Sequence, residues 1–141
     1  WVEVDGGGVY HPSREWLEDN GENPEKAQCA EFGYSDFEDQ DEQPAIVLHE
    51  LAHAFHDRVL GEDHPEIEDA WARALGMRVY RRADHVDGAA RRAYALSNSA
   101  EYFAEITEAY FASNDFEPFD RADLKAKDPD GFALVERLWG V

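Results

Sequence analysis

Residues 45–60 read Ala-Ile-Val-Leu-His-Glu-Leu-Ala-His-Ala-Phe-His-Asp-Arg-Val-Leu. Pro44 precedes this stretch and Gly61 follows it. Pro suits the first position of a helix, where its missing N–H is not needed, and Gly suits the residue after the last turn. Length and composition between them predict one helix. Val47, Leu51 and Ala54 form one apolar row, and Leu48, Phe55 and Val59 form another. Apolar rows on two flanks predict a helix that is largely buried.

Within it, His49-Glu50-Leu51-Ala52-His53 has the pattern H-E-x-x-H. Residues i and i+4 lie one above the other on a helix, so both imidazoles can reach one ion. The Glu after the first His projects beside that ion, where it can take a proton from water. With 6 His in 141 residues, a chance match is rare, on the order of a few per hundred chains of this composition. Two unpaired imidazoles and a carboxylate on a buried helix would also be costly. The reading is therefore a zinc site held by His49 and His53, with Glu50 as general base. Catalytic zinc takes a third protein ligand and keeps a fourth position open. A third His ten residues after the first is absent, because position 59 is Val. A distant carboxylate is required. Glu101, Glu105 and Glu108 lie at i, i+4 and i+7, on one helix face. Spacing favours Glu101 or Glu105 over Glu108 as the ligand.

Outward from this helix, the first part of the chain reads as strands and the later part as helices. WVEV (1–4), DGGG (5–8) and VYH (9–11) predict a hairpin, residues 13–19 a short helix and QCAEF (28–32) a strand. SDFEDQDE (35–42) is an acidic loop. Asp63-His64-Pro65-Glu66 opens a second helix with Ile67, Ala70, Trp71, Ala74 and Leu75 on its inner stripe. A basic stretch with Arg78, Arg81, Arg82, Arg91 and Arg92 follows. Asn98 caps a third helix, roughly 99–112, with Phe103, Ile106 and Tyr110 inward. Residues 116–119 form a loop and 130–139 a last helix. The fold class is α+β, a single domain over 1–141 with an early small sheet and an active-site helix.

The formal net charge is −19, and residues 1–69 carry nearly all of the excess. Such a field repels phosphates and argues against nucleic acid as a partner. No apolar run reaches the ~18 residues of a membrane helix. The one cysteine, Cys29, excludes an internal disulfide and a cysteine-built metal site.

Tyr94-Ala-Leu-Ser-Asn-Ser-Ala-Glu101-Tyr-Phe-Ala-Glu105 resembles the active-site segment of the anthrax lethal factor and bacterial Pro-Pro endopeptidase group. There a Tyr stands seven residues before a ligand Glu, and an aromatic pair, Ala and a second Glu follow. Val47–Ala54 is similar to that group's metal helix. The resemblance spans residues 44–111. It implies a zincin-like peptidase domain in which Glu101 is the third zinc ligand, Tyr94 stabilises the oxyanion and Glu105 supports the site from behind. The first 43 residues match nothing in those toxins. The tail over 114–119 and 128–140 is more similar to bacterial secreted proteins that share the core. Substrate preference does not carry over.

The expectation is a zinc-dependent endopeptidase with one Zn2+ per chain and a peptide or protein substrate, secreted or at the cell surface. The weighed alternatives are a zinc hydrolase of another amide and a degenerate, non-catalytic peptide-binding module. His56 is expected to pack or cap, Asp57 to orient His53 or to pair with Arg58, and His11, His64 and His85 to lie at the surface.

Overall fold

The computed structural model describes residues 9–10, 14–19, 21, 30–31, 45–61 and 63–141. The first strand and turn of the expected hairpin, the acidic loop, Pro44 and His11 lie outside these residues. Two short strands, β1 (Val9–Tyr10) and β2 (Ala30–Glu31), pair antiparallel. Between them lies α1 (Arg14–Asp19), whose Leu17 is buried. β1 and β2 both pack against α2 (Ile46–Phe55).

α2 does not run unbroken to Gly61. His56–Leu60 form a π-helical turn, closed by the Gly61 N–H on the His56 carbonyl at 2.8 Å. Gly61 has φ 92°, a conformation that disfavours a side chain. A π turn holds an extra residue, so apolar rows drift around the axis there. Val59 is accordingly 66% exposed, and Leu51 is 50% exposed. The expectation of two buried flanks is thus corrected. α2 buries the His49, Glu50 and Ala52 side of its surface.

α3 (Pro65–Ala74) begins with Pro65 and turns Ile67, Ala70 and Ala74 inward. Trp71 is half-buried, while Leu75 is exposed. The basic stretch holds elements that the chain's periodicity does not show. They are a one-turn helix, α4 (Arg78–Arg81), and a hairpin of β3 (Ala83–Asp84) with β4 (Ala90–Arg91). Gly88, at φ 84°, makes the hairpin turn. Strands therefore occur late as well as early. A two-residue strand leaves no alternation to read.

α5 (Ser99–Phe111) is the centre of the molecule, and α2, α3, α6 (Arg121–Lys127) and α7 (Pro129–Trp139) pack on it. Asn98 caps it by accepting from the Glu101 N–H at 2.8 Å. Residues 102–110 are all buried. Phe103 and Ile106 meet Ile67, Leu124, Leu134 and Val135 in the core. Each such side chain contributes about 1.5–3 kcal/mol by leaving water.

One polar knot ties this core together. The Tyr80 and Tyr102 hydroxyls both donate to Asp128 Oδ2 at 2.7 Å. Asp128 Oδ1 in turn accepts from the Gly131 N–H at 2.9 Å, capping α7. Position 131 must be glycine, because a Cβ there would come within 2.5 Å of Asp128 and 2.7 Å of the Tyr102 hydroxyl. No described helix is long and apolar enough to cross a membrane.

Candidate metal centre and active site

α2 and α5 lie against each other, and their facing polar side chains meet at one point. His49 and His53 come from α2, one turn apart, with ring centroids 4.7 Å from each other. Glu101 comes from the first turn of α5, held by the Asn98 cap. Its Oε2 lies 3.0 Å from His49 Nε2 and 3.3 Å from His53 Nε2. Zinc bonds of ~2.0–2.1 Å in a tetrahedron put ligand atoms about 3.3 Å apart. The donor set and its spacing therefore fit a zinc ion. The structure brings His49, His53 and Glu101 together at one point.

The other face of His49 is occupied. Its Nδ1 lies 2.5 Å from Glu108 Oε1, and both side chains are buried. A carboxylate on one imidazole nitrogen fixes the tautomer and turns the other nitrogen toward the ion. The side chain on His49 Nδ1 is therefore that of Glu108 and not that of Glu105. Glu108 lies seven residues beyond Glu101, within about 20° of it on an ideal helix, whereas Glu105 is rotated by about 40° the other way. Glu105 Oε2 instead accepts from Asn114 Nδ2 at 3.1 Å, in a fully enclosed position. Asn114 also donates to the Phe116 carbonyl at 3.0 Å. Glu105 stays near, since its carboxylate, that of Glu108 and His49 come within 4.8 Å of one another. The three glutamates are thus not a solvated helix face.

The charges respond strongly. Burial alone would lower the His49 pKa, but the Glu101 and Glu108 carboxylates outweigh it and lift it to about 11. Burial would raise Glu101, but His49 and His53 hold it at about 2. Glu108 is raised by burial, against the pull of His49. Glu105 is pushed well up by burial and by the neighbouring Glu108 and Asp115 carboxylates, so it tends to its neutral form.

Glu50 is buried beside this cluster, and its charge reaches both Glu108 and Tyr94. Tyr94 opens a 3-10 turn over Tyr94–Leu96, just before α5. Its ring centroid is 6.5 Å from that of His49, and it remains half exposed. Burial and the adjacent Glu101 carboxylate raise its pKa, so the phenol keeps its proton at neutral pH. The turn is held by Arg92, which donates to the Leu96 carbonyl at 2.7 Å, and by the Ala93 N–H on the Tyr80 carbonyl at 2.8 Å.

His56 packs edge-on against Phe103 and is buried, as expected. His85 is not a free surface residue. It lies 3.4 Å from Asp115 and 3.1 Å from Asp87. Asp57 and Arg58 are both engaged.

Two imidazoles and a carboxylate around one point, with a second carboxylate alongside, belong to the class of metal-dependent hydrolases. Residues 29–134, about three quarters of the chain, match the family described as glucose-regulated metallo-peptidase M90, and the chain belongs to that family. It is therefore a metallopeptidase, and its implied cofactor is a divalent metal ion. The match is to M90 and leaves the finer likeness to lethal factor as a resemblance. No curated protein and no solved structure matches the chain.

Proposed function

We propose that this chain is a zinc-dependent endopeptidase with a zincin-like catalytic domain. The observation that carries the reading is the approach of Glu101 Oε2 to His49 Nε2 at 3.0 Å and to His53 Nε2 at 3.3 Å, beside the buried Glu50. His49, His53 and Glu101 would hold the ion, with Glu108 orienting His49. Zinc in this position would polarise the peptide carbonyl and bring the pKa of a water down toward ~7.

Glu50 accepts the proton of the attacking water and then delivers it to the leaving amine. The Tyr94 hydroxyl donates a hydrogen bond to the carbonyl oxygen as it gains charge. Its raised pKa suits a neutral donor there. The partner is a peptide or protein, lying extended along an edge of the β1–β2 pair beside α2. The toxin-like resemblance supports a secreted or cell-surface location.

Elemental analysis of the purified protein, with variants, tests the reading. About one zinc per chain, lost in His49→Ala and Glu101→Ala, is the expected result. Glu50→Gln should keep the zinc and lower kcat by roughly 10²–10⁴-fold. Zinc retained without Glu101, or full activity in Glu50→Gln, would overturn it.

A further inference from the structure

The chain's arginines outside α4 and its C-cap are all engaged, mostly with carboxylates. Arg78, Arg81 and Arg82 are different. They sit on α4 and its C-cap, exposed, with no side-chain hydrogen bond or ion pair among the described residues. In a chain of net charge −19, carboxylates are plentiful, yet none among the described residues answers these cations. Arg78 and Arg82 stand at i and i+4, where like charges repel by about 0.2–0.5 kcal/mol.

Both arginines line one cleft of about 480 Å³, between α4, the β3–β4 hairpin and the Glu117–Lys127 side. That size suits a small organic ligand. Lys127 also faces the cleft, but its charge is already met by Glu117 at 2.5 Å and Asp123 at 2.8 Å. What remains is two unanswered guanidinium groups on the α4 wall and one carboxylate, Asp84, on the hairpin wall. The Asp84 side chain has no partner among the described residues. Val79 and Ala90 add apolar surface between them. None of these residues belongs to the metal centre.

We propose that this cleft is a binding site for a zwitterionic amino acid or short peptide. The α-carboxylate is held by the forks of Arg78 and Arg82, the ammonium group by Asp84, and a small side chain lies on Val79 and Ala90. Guanidinium forks match a carboxylate in geometry and charge. A phosphate dianion suits the site less well, because Asp84 and Glu117 face it across the cleft. The inference rests on the cleft alone and does not depend on the catalytic reading.

Backbone amide spectra of the metal-loaded Glu50→Gln chain, titrated with Ala-Ala, test it without turnover. Ala-Ala should shift amides of residues 78–90 and 117. Binding should weaken about tenfold or more when its carboxylate is amidated, and likewise in the exposed-site double variant R78Q/R82Q. Asp84→Asn should weaken Ala-Ala yet leave N-acetyl-Ala-Ala unaffected. Three outcomes would overturn the proposal. One is shifts confined to residues 49–53 and 94–101. Another is inorganic phosphate binding the cleft more tightly than Ala-Ala. The third is no shift in the cleft up to about 20 mM dipeptide.

Discussion

His49 has a carboxylate on each ring nitrogen, Glu101 on Nε2 and Glu108 on Nδ1. Spacing left the first of these between Glu101 and Glu105, the resemblance implied Glu101, and neither pointed to the second. The second depends on which turn of α5 passes His49, a fact of helix packing. Glu108→Ala is expected to weaken metal affinity by about 10–100-fold, measured by competition with a chelator. Glu105→Gln, at a carboxylate that accepts from Asn114 instead, should leave it nearly unchanged. Equal losses in the two variants would return the supporting role to Glu105. The pKa of His49, lifted to about 11, adds a pH dependence. Below that value the metal-free imidazole carries a proton on each nitrogen, and the Nε2 proton must leave before the nitrogen can ligate. Metal binding at pH 8 should release about one proton from His49, so affinity rises as pH rises. Calorimetry in buffers of different ionisation enthalpy measures this, and identical heats in all buffers would count against it.

At the scale of elements, the helices that were legible are those with long apolar rows and local caps. Asn98 could be read as a cap because the bond it makes reaches only three residues along the chain. Asn98→Ala is expected to cost about 1 kcal/mol in urea unfolding. It should also loosen metal binding, since the frayed turn carries Glu101. A stability loss with unchanged metal affinity would separate the cap from the site. α4, α6 and the β3–β4 hairpin were not legible. They are four, seven and two residues long, too short for a period to emerge. Their order comes from tertiary anchors, such as the Asp128 carboxylate shared by Tyr80 and Tyr102. The close approach at Gly131 belongs to that knot. Gly131→Ala should destabilise by about 1–3 kcal/mol, as overpacking does, and its urea midpoint would show whether the knot can give way.

Across the whole molecule, the net charge of −19 sets a long-range field. Basic peptides should be cleaved with a kcat/KM that falls as salt is added, while that for acidic peptides should rise. The same salt response for both would remove electrostatic steering from the account. On the proposed mechanism the field would act on approach, and the buried cluster between α2 and α5 on bonds. The two contributions can therefore be separated by salt, which screens the first far more than the second.

The sequence by itself determined the metal helix, its two imidazoles, the need for a distant carboxylate and the Asn98 cap. Each depends on neighbours within one or two turns, where helix geometry alone decides what meets what. Only the tertiary structure decided that Glu108 holds His49, that Glu105 is enclosed with Asn114 and that Arg78 and Arg82 line a cleft with no side-chain partner among the described residues. Those relations join residues from different elements, and their distances follow from how helices cross and pack, not from spacing along the chain.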